Sequence, residues 1–319
     1  LFAITIPAAY ATGTLTVRPH ALVHQVLYDK AKGKATGVEI IDTETKQTET
    51  VFAKLIFLNA STVATTAILL NSISDRFPNG LGNGSDQVGR NLMDHHKGLS
   101  FSASVEGFED RYYAGRRPTS IYIPRFRNVT DQHPNFIRGY HFGGGAYRAP
   151  QGGDAPIGAA LKEALTEPGA WHMSLYAFGE CLPYASNRIT LNGNKKDPWG
   201  RPMIVIDCEF KDNEKAMHED VKATGLELLE AAGFKNASVR GSISFPGNAN
   251  HEMGTARMGR DSKTSVLNRF NQMHEVPNVF ITDGSCMTSG SCVNPSVTYM
   301  ALTARACDYA VKELKKGNI

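Results

Sequence analysis

The 319-residue chain contains no apolar run close to the roughly 18 residues needed to cross a bilayer, so we expect no membrane span. It carries little net charge, +3, and no basic run interleaved with aromatic residues, which argues against a nucleic-acid partner. Its five cysteines are odd in number and not closely paired, which argues against a disulfide framework. These absences leave a globular chain, 41% hydrophobic, that can form one large domain or two.

The chain also lacks the glycine-rich fingerprint of dinucleotide-binding folds. No Gly-x-Gly-x-x-Gly follows a predicted strand and opens a helix, and we interpret the glycine cluster at 80–84 as a surface turn. Residues 1–7 are apolar but few, and no basic region precedes them, so we do not expect a signal peptide there.

Alternating apolar residues predict strands in the first 60 residues, at 14–18, 22–28 and 37–41. Residues 51–60 form a longer apolar run that predicts one buried strand. Ser61 and Thr62 then open a predicted helix.

The middle of the chain predicts an antiparallel sheet with one face toward solvent. The predicted strands lie at 101–105, 120–126, 137–142, 172–180, 187–191 and 203–208. A polar, Pro- and Gly-rich stretch at 146–170 predicts a mobile loop over the site, and an amphipathic helix is predicted at 212–232.

Six aromatic residues recur with a period of two in these predicted strands. They either line a wall on which a sugar stacks or form the hydrophobic face that packs on a helix, which is the commoner arrangement. The residues are Tyr122, Phe126, Tyr140, Phe142, Tyr176 and Phe178.

Residues 281–298 read as a strand, an Asp-Gly turn, a loop of small residues and the start of a helix. We expect Asn294 to cap this last helix and Pro295 to lie in its first turn, where a missing N–H costs nothing. The helix N-terminus would present free N–H groups, a place to hold negative charge.

Two strings carry a family resemblance: His-Glu-Met-Gly-Thr at 251–255 and Cys-Val-Asn-Pro-Ser at 292–296. Together they resemble the C-terminal signature of the glucose-methanol-choline (GMC) family of flavin oxidoreductases. The His/Asn combination is most similar to the cholesterol oxidase and pyranose oxidase branches and to bacterial sugar dehydrogenases. The string Gly-Arg-Asn-Leu-Met-Asp-His at 89–95 resembles the family's crossover from flavin domain to substrate domain.

The resemblance implies an α/β (α+β) fold: the C-terminal part of an FAD-binding Rossmann-like domain plus a substrate domain whose mainly antiparallel sheet is backed by helices. The implied boundaries are 1–90 for the remainder of the FAD domain, 91–255 for the substrate domain, and 256–319 for the return to the FAD domain with the C-terminal helix.

The resemblance also implies FAD as the cofactor. The residues that would contact it are Val23, Asp283, Gly284, Asn294 and Pro295, with Val23 near the adenine and Pro295 near the pyrimidine edge of the flavin. We expect no metal at Asp94, His95 and His96, because adjacent histidines point in different directions and no further ligand cluster follows at close spacing.

Oxidation of an alcohol requires a group that takes the hydroxyl proton and a group that orients the oxygen. No side chain accepts hydride, so a cofactor must do so. By the resemblance, His251 is the general base, and Asn294 is the donor that orients the substrate oxygen. The implied substrate is a sugar or another alcohol, and the sequence does not specify the electron acceptor.

A second hypothesis is a non-catalytic fragment or subunit that supplies substrate recognition and half of a flavin site to a partner chain. In the family, the glycine fingerprint lies near the N-terminus, so we expect an N-terminal segment or another chain to carry the FAD pyrophosphate loop. A hydrolase that uses Ser291 with His251 is disfavoured, because no Gly-x-Ser-x-Gly elbow surrounds Ser291.

Overall fold

The computed structural model describes residues 3–110, 120–150, 153 and 156–319. In chain order, the described elements are α1 (Thr5–Ala11), β1 (Ala21–Asp29), β2 (Lys34–Asp42), β3 (Thr48–Phe52), β4 (Ile56–Leu58), α2 (Thr62–Asn71), β5 (Ser100–Val105), β6 (Ser120–Ile123), β7 (Tyr140–Pro150), α3 (Ala159–Ala164), β8 (Pro168–Gly179), β9 (Arg188–Lys196), β10 (Pro202–Asp207), α4 (Asp212–Ala231), β11 (Lys235–Arg240), β12 (Val279–Ile281), a 3-10 turn (Gly284–Cys286) and α5 (Ser296–Lys315). None of the helices in this part of the chain is long and apolar enough to span a membrane.

Strands β1, β2 and β3 form an antiparallel sheet in that order, which confirms the strands predicted at 22–28 and 37–41. The strand predicted at 14–18 is wrong. That stretch is exposed and unpaired with any strand, although Arg18 forms an ion pair with Glu49 at 2.5 Å. Alternation alone does not make a strand, because the backbone groups of a strand need a neighbouring strand to pair with.

The single strand predicted at 51–60 is two strands in two sheets. Exposed β3 pairs with β2, whereas buried β4 lies parallel to β12, with Ile56 opposite Val279. Asn278 joins the two sheets, because its side-chain amide donates to the carbonyls of Ala35 (2.7 Å) and Lys54 (3.0 Å). A long-range side-chain contact of this kind leaves no local signal in the sequence.

A five-stranded antiparallel sheet, in the order β11-β5-β8-β7-β6, forms the middle of the molecule. Helix α4 covers one face through Met217, Val221 and Leu229, as its amphipathic pattern predicts. The predicted single sheet is wrong in one respect: β9 and β10 form a separate two-stranded sheet.

The stretch predicted to be a mobile loop at 146–170 carries regular structure at both ends. Strand β7 runs to Pro150, α3 follows, and β8 begins at Pro168. The part of that prediction that falls on 151, 152, 154 and 155 lies outside the described residues.

Two buried cores come from different stretches of the chain. One gathers residues between Val26 and Val88 with residues between Ala256 and Cys286, and the other gathers residues between Leu99 and Leu229. The predicted boundaries at 90/91 and 255/256 fall between these stretches, and the assignment of domains stays a prediction.

Candidate active site

The site forms where the segment around Asp94 meets the segment around His251. Met93 and Met253 exchange two backbone hydrogen bonds of 2.9 Å, as a short antiparallel bridge does. This pairing brings residues 156 positions apart in sequence, His95 and His251, into contact.

Buried Asp94 holds the two segments in register. Its carboxylate accepts hydrogen bonds from four backbone N–H groups: His95 (2.8 Å), Gly247 (2.8 Å), Ala249 (3.0 Å) and His251 (3.1 Å). A buried charge requires such partners, and here they fix the backbone at the start of the His251 loop.

The structure brings His251 and Asn294 together. The Nδ2 atom of Asn294 lies 3.2 Å from Nε2 of His251. Asn294 is exposed and His251 is half-buried, so both groups are open to a ligand. Phe178 lies beside the His251 ring, with ring centroids 6.0 Å apart.

The expected helix cap is wrong. No side chain caps α5, Pro295 occupies the N-cap position, and the helix begins at Ser296. The amide of Asn294 is directed to His251 instead of to the helix N–H groups. An asparagine can fill either role, because its side-chain oxygen can accept from helix N–H groups and its NH2 group can donate to a residue of the site.

The side chain of Asp283 forms hydrogen bonds with other residues of the protein. Its carboxylate accepts hydrogen bonds from the Ser285 backbone N–H (3.0 Å) and hydroxyl (2.5 Å) and from the Thr65 hydroxyl (2.6 Å). Burial raises the pKa of this carboxyl, and the hydrogen bonds oppose that shift. Asp283 therefore ties the loop after β12 to the first turns of α2.

Position 284 requires glycine, because the backbone of Glu252 and the side chain of Thr62 lie very close to it. A Cβ atom at this position would lie 2.4 Å from the Glu252 carbonyl and 2.5 Å from the Thr62 hydroxyl oxygen. Any side chain would push the His251 loop away from α2.

Val23 lies apart from these residues in the fold. It is in β1, opposite Ile40, and packs against the first core. This position is compatible with either core packing or the predicted contact with adenine.

The carboxyl ends of β4 and β12 lie side by side. The Asn59 side chain joins them by accepting from the backbone N–H (3.1 Å) and hydroxyl (2.9 Å) of Thr282. Ser61, just before α2, has φ +76°, and neither α2 nor α5 has a side-chain cap or an acidic residue in its first turn. The uncapped N-terminus of α5 suits the anionic ring edge of a flavin nucleotide. At the start of α2, the Asp283 carboxylate already accepts from the Ser61 backbone N–H.

Five of the six periodic aromatic residues are divided between the two faces of the five-stranded sheet, whereas Phe126 follows β6 and its ring lies 5.7 Å from that of Tyr140. Tyr140 and Phe142 are fully buried against α4. On the opposite face, Phe178 and Tyr176 on β8 and Tyr122 on β6 lie near His141, with ring centroids 4.9–6.3 Å from its ring. We call Tyr122, Tyr176 and Phe178 the aromatic wall. Packing on a helix is confirmed for Tyr140 and Phe142, and sugar stacking on the aromatic wall stays a prediction.

Sequence reasoning missed His95 and His141 as residues of this site. Both are buried: His95 contacts His251, and Nδ1 of His141 hydrogen-bonds the Cys292 carbonyl. The crossover string at 89–95 was the only signal for His95. In the described residues, no group of three His, Cys, Asp or Glu side chains is placed to hold a metal ion.

All five cysteines are free. Burial raises the pKa of the Cys286 thiol to about 12 and of the Cys292 thiol to about 11. These thiols are small buried residues of the loop and are poor nucleophiles at neutral pH.

Comparison with known proteins agrees with this geometry. Residues 4–97 and 183–303 match the N- and C-terminal family models of the GMC oxidoreductases. The chain is 34% identical to a 2-methyl-1,2-propanediol dehydrogenase from Mycolicibacterium austroafricanum, over 95% of this chain and 55% of the relative. It is 28% identical to the fructose dehydrogenase large subunit of Gluconobacter japonicus, over 94% and 54%.

Solved structures show the same fold. A formate oxidase of Aspergillus oryzae aligns with TM-score 0.61 at 16% identity, over 94% of this chain and 61% of that one. An FAD-dependent oxidoreductase from Chaetomium thermophilum aligns with TM-score 0.60 at 15% identity, over 97% and 64%.

The chain belongs to the GMC oxidoreductase family. The family and the structural neighbours indicate FAD as the cofactor. The chain spans about half the length of the relatives it matches.

Proposed function

We propose that this protein takes part in the FAD-dependent oxidation of an alcohol CH–OH group to a carbonyl. The observation that carries the proposal is the 3.2 Å approach of the Asn294 amide to Nε2 of His251, beside the N-terminus of α5. A base and a hydrogen-bond donor thus converge on one point, as removal of a hydroxyl proton requires.

In the proposed mechanism, the substrate hydroxyl binds beside these two side chains and takes the place of their mutual hydrogen bond. Nε2 of His251 takes the hydroxyl proton, and the Asn294 amide donates to the same oxygen and orients it. Bound FAD supplies the acceptor for the hydride that leaves the carbon.

The residues proposed to hold FAD are those around the paired carboxyl ends of β4 and β12. Gly284 lets the loop lie close to α2, Asp283 fixes that loop, and Pro295 and Asn294 border the uncapped N-terminus of α5. A contact of the Val23 backbone with the adenine completes the proposal.

We propose a polyhydroxylated substrate, either a sugar or a small diol. Exposed aromatic rings suit the C–H face of a sugar, and Tyr122 and Tyr176 are 54% and 48% exposed. Phe178 links this wall to the proposed base, since its ring lies 5.5 Å from Tyr176 and 6.0 Å from His251. The two relatives described above are named for a diol and for fructose, which supports the same class.

Replacement of His251 by Ala tests the base. We expect turnover to fall about 10²- to 10⁴-fold, the usual contribution of a general base, while FAD stays bound. His274→Ala serves as the control, because that histidine bonds Ser265 outside the site. Full activity of the His251 variant would remove the assignment.

Flavin absorbance separates this proposal from its rival, a chain that supplies part of a flavin site to a partner. We expect the purified protein to bind FAD and to show the visible spectrum of a flavin. A colourless protein that binds no added FAD favours the rival.

A further inference from the structure

His95 makes two ring contacts that the proposed mechanism does not use. Its Nδ1 atom lies 3.0 Å from Nδ1 of His251, and its Nε2 atom lies 3.2 Å from the carbonyl oxygen of Gly290. The His95 side chain is completely buried, so these partners decide where its proton resides.

The contacts determine the protonation of both rings. The Gly290 carbonyl can only accept, so Nε2 of His95 carries the proton. A neutral imidazole has one N–H, so Nδ1 of His95 is an acceptor. Nδ1 of His251 must then carry a proton and donate it to His95, which leaves the lone pair of His251 on Nε2.

The contact between Asn294 and His251 agrees with this assignment. The amide nitrogen of Asn294 is a donor without a lone pair to offer, and it approaches Nε2 of His251. The three hydrogen bonds therefore run in one direction: Asn294 donates to Nε2 of His251, Nδ1 of His251 donates to Nδ1 of His95, and Nε2 of His95 donates to the Gly290 carbonyl.

The charges around His95 keep this ring neutral. Burial lowers the pKa of His95, and the neighbouring rings of His251 and His141 lower it further, against the Gly290 carbonyl and the Asp94 carboxylate, which raise it. Asp94 accepts hydrogen bonds from four backbone N–H groups, so its carboxylate holds the backbone of the site.

We propose that His95 is a positioning residue that fixes the tautomer of His251 so that the lone pair lies on Nε2, toward the substrate. The role rests on the proposed function of His251 as the base. A neutral histidine thus takes the place that a carboxylate holds behind the base in a catalytic triad.

Two substitutions of His95 separate this role from simple anchoring of the loop. In His95→Asn, the amide oxygen occupies the position of Nδ1 and still accepts from His251, but the Gly290 contact is lost. In His95→Gln, the amide reaches the position of Nε2 and keeps the Gly290 contact, but no acceptor faces His251.

The first readout is the tautomer itself, measured in the purified protein by ¹⁵N NMR of the histidine rings. We expect the Nδ1–H form of His251 in the wild type and in His95→Asn, and a mixture of tautomers in His95→Gln. An Nε2–H form of His251 in the wild type would overturn the inference. This readout does not depend on turnover, so it remains valid if His251 is not the base.

The second readout is steady-state kinetics of the FAD-loaded protein. We expect His95→Gln to lower kcat at least about 10-fold with little change in KM, as for other groups that orient a reactive imidazole, and His95→Asn to retain more of the activity. The reverse order, with His95→Gln active and His95→Asn impaired, would show that His95 only anchors Gly290.

Discussion

The two faces of the five-stranded sheet differ sharply although they are built from the same strands. On the α4 face, Phe101, Tyr140 and Phe142 are completely buried. On the opposite face, Tyr122 and Tyr176 keep about half of their surface exposed, near His141. Residues that alternate along one strand thus serve stability on one side and, in the proposed function, substrate recognition on the other.

The adjacent residues His95 and His96 likewise lie on opposite sides, one in the site and the other in the core. His95 faces Phe178 and His251 on the site side. His96 packs between Phe210 and His218 of α4, and its Nε2 has no hydrogen-bond partner among the residues that the structure describes. One step along an extended backbone separates a residue of the site from a residue of the core.

The largest effect on stability is expected on the α4 face. Phe142→Ala should destabilise the fold by about 3–5 kcal/mol, because it leaves a cavity beneath α4. Urea denaturation of the wild type and the variant measures the difference. An unchanged urea midpoint would contradict the assignment of Phe142 to the core.

A second effect on stability, which appears only in acid, is expected from His96. Burial, with smaller contributions from His218 and His95, lowers the pKa of His96 to about 3 from its ordinary 6.5. The unfolded chain therefore binds the proton first, and this group makes stability fall as pH drops from 6.5 toward 3, by about 1.4 kcal/mol per pH unit.

The pH dependence of urea unfolding in the wild type and in His96→Leu tests this expectation. The variant should lose stability less steeply in acid, whatever its stability at neutral pH. Equal slopes for the two proteins would show that His96 does not titrate between the folded and unfolded states in this range.

The smallest effect is expected on the aromatic wall. Tyr176→Ala should raise KM for a polyhydroxylated substrate by about 5- to 10-fold, which corresponds to about 1 kcal/mol for one aromatic contact. Stability should change by less than in Phe142→Ala, since Tyr176 is half exposed. If KM does not change, Tyr176 does not contact the substrate.

Much of the fold was accessible from local pattern. Alternation predicted β1, β2 and four strands of the five-stranded sheet, β5 to β8, and amphipathic spacing predicted α4, because each element presents one apolar side to a core. Strand β11 was not predicted. The split of 51–60 into β3 and β4 was missed, because both pieces are apolar and only their partner strands tell them apart.

The site was predicted in part. His251 and Asn294 were identified from short strings and the family resemblance, and the structure brings them within 3.2 Å. Asn294 was also expected to cap α5, which it does not. His95 was placed only in the crossover string at 89–95, and a metal-binding role for it was not expected. Its contact with His251 depends on the Met93–Met253 bridge, which no local pattern encodes.

The sequence by itself determined the elements, their apolar faces and the two strings that carry the family signature, because each depends on residues near one another in the chain. Only the tertiary structure decided which face of the sheet each aromatic residue occupies and which histidine stands behind His251. Those outcomes depend on strand register and on the packing of segments more than 150 residues apart, and the sequence does not display either.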